Sequence, residues 1–167
     1  MKLIDNCKKT QAAGIVIKKM KRMQGLDGWI WSCDVHLNRV RIGSVFDDGN
    51  GGCLSVDISA TDQAKLVAAL KGVDYPLGLT FVGEDFVEPD TDYGYIEWVL
   101  PTIADELESL KKLQRAAKTK TLYQLHDDKE GEHWVIKQVY STALVAALQK
   151  KHGSNLKEVL NEAITGL

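Results

Sequence analysis

The chain has 167 residues, 44% hydrophobic and 26% charged, with a formal net charge of −2, an ordinary globular composition with enough length for one sizeable core. No apolar run approaches the roughly 18 residues that mark a membrane span, and the leading MKLIDNCKKTQAAG lacks the apolar centre of a secretory signal. The three cysteines, Cys7, Cys33 and Cys53, form no C-x-x-C pair, which argues against a disulfide framework or structural zinc and for a reducing, cytoplasmic setting.

In chain order, residues 1–14 read as a basic, weakly structured lead-in, and residues 14–20 as a first strand extended by KKMKR. After a turn at 24–28 comes the stretch around which the rest is organised, residues 29–59. Trp29, Trp31, Cys33, Val35 and Leu37 alternate along one strand, and Val40, Ile42 and Phe46 answer along the next. A two-residue turn at Asn38-Arg39 sets Leu37 against Val40, Val35 against Ile42 and Trp31 against Phe46 on one buried face. His36 and Arg41 then share the other face. Such a turn asks positive φ of both central residues, which Arg39 accepts at a cost of roughly 1 kcal/mol. The run Asp47-Asp48-Gly49-Asn50-Gly51-Gly52 is the strongest loop signal in the chain. It feeds a strand at 53–59, and Thr61 caps a helix over 62–71 that stops at Gly72.

Residues 77–82 suit a strand and 84–95 an exposed acidic loop. Pro101 fits the first turn of a helix running to Lys118, with acids at its start and bases at its end. Residues 121–126 and 133–140 form a hairpin with Tyr123 opposite Ile136 and Leu125 opposite Trp134. Ser141 caps a helix that Gly153 stops after His152. Asn155 and Glu158 make a capping box for a last helix to Ile164. The expected class is α+β: an antiparallel N-terminal meander with one helix, followed by a long helix, a β-hairpin and two C-terminal helices. The expected divisions are 1–72, an acidic connecting segment 73–100, and 101–167 packed with the first as one compact domain.

Charge is laid out in blocks. Residues 72–110 hold 10 acids and no Lys or Arg, whereas 1–71 and 111–167 are each net basic. Acids interleaved with aromatics make the middle block a candidate partner-binding surface, carried by Asp85, Phe86, Glu88, Asp90, Asp92, Tyr93 and Tyr95, with Phe81 and Trp98 as further aromatic anchors. The competing description is a solvated loop with its aromatics tucked into the core. A second surface, Lys18, Lys19, Lys21, Arg22 and Arg41 on the basic first strand and the sheet, suits nucleic acid. The strand–strand–strand–helix order there resembles the later part of a double-stranded-RNA-binding domain. That family places bases at the start of this helix, where ATDQ stands here.

No catalytic residue, cofactor site or metal site is expected. The glycine loop has a strand, not a helix N-terminus, behind it, so it reads as a strand connection rather than a phosphate cradle. His126 and His133 with Asp127 and Asp128 lack a third ligand fixed by spacing. No nucleophile motif occurs.

The run Cys33-Asp-Val-His-Leu-Asn-Arg-Val-Arg-Ile-Gly43-Ser-Val-Phe-Asp-Asp-Gly49-Asn-Gly-Gly52 resembles an uncharacterised family of small bacteriophage and prophage proteins. In that family a V-G-x-V strand and an N/D-D/E-G-x-G-G loop follow a DG-type turn. LYQLHDDKEGEHWVIKQVYSTALVAALQKKHGSNLKEVLNE is similar to the same family's ending. The likeness covers residues 29–59 and 121–162, and Arg39 replaces the family's turn glycine. It implies a phage or mobile-element accessory protein with no assigned activity. Together with the acidic block, it suggests contact with a host protein, basic or nucleic-acid-binding, and inhibition of a host defence factor. Nucleic-acid binding is the alternative, and no membrane contact is expected.

Overall fold

The computed structural model describes residues 2–77 and 89–167. The chain is α+β, as expected. Its elements are α1 (Lys2–Ala12), β1 (Ile15–Gln24), β2 (Trp29–Leu37), β3 (Val40–Asp47), β4 (Ser55–Ile58), α2 (Ala60–Gly72), α3 (Asp92–Ala117), β5 (Thr121–Leu125), β6 (Trp134–Ile136), α4 (Thr142–His152), a 3-10 turn (Gly153–Asn155), β7 (Leu156–Val159) and α5 (Leu160–Thr165). They fall into two compact units, Lys8–Asp105 and Met1–Cys7 with Glu106–Leu167.

In the first unit four antiparallel strands lie in the order β1-β2-β3-β4. Alternation on β2 buries Trp31, Cys33, Val35 and Leu37, joined by Ile15 and Ile17 of β1, Val45 of β3 and Ile58 of β4. The Asn38-Arg39 turn has the expected positive φ at both residues, 50° and 72°, and Leu37 pairs with Val40 and His36 with Arg41. Beyond that point the expected register fails. Val35 pairs with Gly43 rather than Ile42, and Trp31 with Asp47 rather than Phe46, because Ile42 is an extra residue in β3. One extra residue reverses every later side chain. Val45 is therefore buried and Phe46 47% exposed, whereas Val40, which precedes the bulge beside the turn and keeps its pairing with Leu37, is 65% exposed against expectation. Contact with β4 fixes this phase: a Cβ at Gly43 would collide with the Asp57 carbonyl oxygen, so only glycine fits where the two backbones approach. Trp29, at the sheet margin, is half exposed as well.

The helix after β4 starts earlier than expected. Ser59, not Thr61, caps α2, its hydroxyl accepting from Asp62 N–H. Leu66, Val67 and Leu70 are its buried positions.

Helix α3 begins at Asp92, nine residues before Pro101, so the proline sits inside it. Pro101 removes one backbone donor, at a cost of about 3 kcal/mol in a helix interior. The apolar stripe runs straight through it, since Tyr95, Ile96, Val99, Leu100, Ile103 and Ala104 are all buried. Thr102 Oγ1 donates to the Trp98 carbonyl at 3.2 Å in the same turn.

In the second unit Ile4, Cys7, Leu110, Leu113, Leu122, Leu160 and Ile164 form the core. Ile4 and Cys7 place the lead-in in a helix rather than loose chain: they lie three apart on one face of α1. The expected hairpin is there, slipped by two residues, with Tyr123 opposite Trp134 and Thr121 opposite Ile136. A slip of two keeps each side chain on its own face. A third strand makes a sheet of order β6-β5-β7. Residues 156–159, expected as helix, pair with β5 through Tyr123–Val159 and Gln124–Glu158, and helix resumes only at Leu160. Buried Asn161 holds this arrangement. Its Oδ1 accepts from Leu122 N–H at 2.7 Å, and its Nδ2 donates to the Ala117 and Lys120 carbonyls. Ser141 caps α4 as expected, its hydroxyl accepting from Leu144 N–H, and Gly153 follows.

Candidate functional site

The basic surface anticipated on β1 and the sheet is largely neutralised from within. A bulge in β1 sets Lys19 and Met20 between the Lys18–Asp34 and Lys21–Ser32 pairs. Lys19, at φ 50°, turns its ammonium onto Asp34 Oδ2 at 2.9 Å. Arg41 Nε donates to the other oxygen, Oδ1, at 3.0 Å. Asp34, only 12% exposed, is thus held from both sides. The Lys19 ammonium and the Arg41 guanidinium beside it keep its carboxyl below the usual range, against a smaller opposing effect of burial. Arg22 pairs with Asp105 at 2.8 Å and lies 5.0 Å from the Trp29 ring centroid. Of the five bases, Lys18 and Lys21 have no ion pair among the described residues. His36 Nδ1 on the same face is shielded and lacks a hydrogen-bond partner among the described residues.

The acidic surface divides differently. Asp85, Phe86 and Glu88, with Phe81 and most of the expected strand at 77–82, lie outside the described residues. Asp90 and Asp92 are exposed at the start of α3. Tyr95 is 3% exposed, with the Lys71 ammonium 5.1 Å from its ring centroid, and so belongs to the interior. Tyr93 is 40% exposed, and its hydroxyl donates to the Leu54 carbonyl at 2.8 Å. Leu54 lines a shallow groove of about 440 Å³, together with Asp47, Cys53, Glu97, Trp98 and Pro101. Trp98 is 46% exposed. Glu97 Oε1 is shielded from solvent and has no hydrogen-bond donor among the described residues. Asp47 is better satisfied, accepting from Gly49 N–H through Oδ1 and from the Trp31 indole N–H through Oδ2.

Glu97 and Asp47 were not singled out from the sequence. The signal of Glu97 was masked by Pro101: with the helix started there, Tyr93, Glu97 and Trp98 fall before it rather than standing about one turn apart on it. The glycine loop behaves as a strand connection. Gly28 and Gly49 pack so closely that a Cβ on Gly28 would lie 2.6 Å from the Gly49 carbonyl oxygen.

The histidines do not converge. His126 N–H donates to the Asn155 carbonyl, and both oxygens of Asp128 are used, by Leu125 N–H and by the Trp134 indole. Among the described residues no group of three His, Cys, Asp or Glu is placed to hold a metal ion. No described helix is long and apolar enough to cross a membrane. Cys7 and Cys33 are buried and Cys53 is exposed, all three as free thiols. Burial, aided by Glu106, raises the Cys7 thiol to about 12; burial, aided by Asp34, raises Cys33 to about 11. No family model, curated protein or solved structure matches this chain.

Proposed function

We propose that this chain is a protein-binding module, an accessory protein of phage or mobile-element type that grips a basic host protein through the acidic groove between the glycine loop and α3. The observation that carries this reading is Glu97 Oε1: a shielded carboxylate oxygen with no partner among the described residues, beside a half-exposed indole, in a groove with no Lys or Arg among its described lining residues. A buried acceptor without a donor is destabilising. A guanidinium or ammonium from a partner would supply that donor and lie against the face of Trp98. Tyr93, anchored through its hydroxyl, gives a second rigid aromatic, and Asp90 and Asp92 add the field that speeds encounter with a basic surface. Covering a host protein's own anion-binding face is the route by which such contact inhibits it. The nucleic-acid alternative through β1 draws less support, because Lys19, Arg22 and Arg41 are occupied by carboxylates.

The test is capture from nuclease-treated bacterial lysate by the wild-type chain and by Trp98→Ala, Glu97→Gln and an Asp90→Lys/Asp92→Lys pair. Wild type should retain a basic protein. Trp98→Ala and Glu97→Gln should lose it through faster dissociation, and the charge reversal through slower association. Retention of the same protein by all three variants would remove the groove from consideration.

A further inference from the structure

The second unit carries a different surface, independent of the acidic groove. Lys111, Arg115 and Lys118 line an open groove of about 470 Å³ along the C-terminal part of α3, with Gln114, Ala117, Ile164 and Thr165. Lys111 and Arg115, four residues apart, share one face of α3, and Lys118 follows one residue past the helix end at Ala117, so the three run about 10 Å along this end of the helix. No Asp or Glu lines the groove among the described residues. The adjacent Lys112 is drawn off by Glu108 at 3.5 Å. Lys111, Arg115 and Lys118 have no ion pair among the described residues. This contrasts with the sheet surface, where three of five bases are tied down.

We propose that this row binds the phosphodiester backbone of nucleic acid without reading sequence. Like charges four residues apart on a helix repel, so a row of three in one groove is stabilised when an anion joins it. A lone anion would be held best by donors converging on a point, whereas these lie in a line. A nucleic-acid strand presents about one charge per 3.4 Å of axis, so a row of about 10 Å spans several successive phosphates. The remaining polar groups are already engaged in part: Gln114 Nε2 donates to the Leu167 carbonyl and the Thr165 hydroxyl to the Asn161 carbonyl. With Ala117 and Ile164 as the other lining residues, little remains to discriminate base edges, and contacts to phosphate alone carry no sequence information. The helix dipole accounts for bases in the last turn, but Lys111 lies well before it.

The experiment is fluorescence anisotropy of labelled oligonucleotides of two unrelated sequences, titrated with the full chain at a series of salt concentrations. Three displaced counterions predict a log–log salt slope of about −2 to −3, alike for both sequences. Lys111→Gln/Arg115→Gln/Lys118→Gln should weaken binding at least about tenfold and flatten the slope. Lys18→Gln/Lys21→Gln should change it little, and Arg115→Lys should retain most of it. Circular dichroism and the unfolding midpoint of each variant establish that it is folded. No salt-dependent binding by wild type, or equal binding by the folded triple variant, overturns the proposal. So does retention on anionic vesicles without binding to either oligonucleotide, which would make the groove a lipid-headgroup site.

Discussion

The two sheets differ in where their central strands find partners. β2 pairs with the strands immediately before and after it in the chain, across short turns. β5 has one such neighbour, β6, but its other partner is β7, reached only after α4. Local pairing is announced by turn chemistry and alternation. Distant pairing must be specified by a core, here Leu122, Leu160 and Ile164, and by a polar pin, Asn161. Even the local sheet was decided partly from a distance, because the bulge at Ile42 depends on how closely β4 approaches Gly43. A hairpin turn sets the register beside itself and has no hold on it several residues away.

The largest test of this contrast is Trp31→Ala. Trp31 is 8% exposed and its indole N–H donates to Asp47, so truncation should lower the denaturant-unfolding free energy by about 3–5 kcal/mol. An unchanged midpoint would deny that the β2 face is the core of its unit. Next comes Asn161→Ala, which leaves three polar groups without their side-chain partner. A loss of about 2–4 kcal/mol is expected, with amide exchange at Leu122 accelerated before that of the β2 amides. If β2 and β5 amides quicken equally, the polar pin is not specific to the distant pairing.

The bulge itself is tested by a matched pair. Val45→Ala should cost about 2 kcal/mol and Phe46→Ala about 1 kcal/mol or less, although Phe is the larger side chain. The reverse order in chemical denaturation would restore the unbulged register.

The smallest effect is on the thiols. Cys7 and Cys33 have folded-state values raised above the ordinary 9.0, so the folded state holds these protons more tightly than the unfolded one. Their contribution is complete below pH about 9 and fades as pH climbs toward about 11 and 12. Thiol titration at pH about 8 should find Cys53 fast and the other two slow. Three equally fast thiols would contradict the burial of both.

Much was legible from local chemistry alone. The Asn38-Arg39 turn, the β2 alternation from Trp31 onward and the Ser141 cap all depend on residues a few positions apart, and each took its expected form. The α+β class followed from them. Tertiary structure decided the rest, because burial depends on what arrives from elsewhere in the chain. It buried Val45 rather than Phe46, and carried α3 through Pro101 because the apolar stripe continues on both sides. It drew Leu156–Val159 into a sheet, since β5 offered an open edge. Charge obeyed the same division. Counting residues located the basic and acidic blocks. Only the fold revealed that Asp34 and Asp105 occupy the bases of the sheet, while Lys111, Arg115 and Lys118 have no carboxylate partner among the described residues. An ion pair between residues far apart in the chain has no local signature, because nothing in the spacing of either partner requires the other.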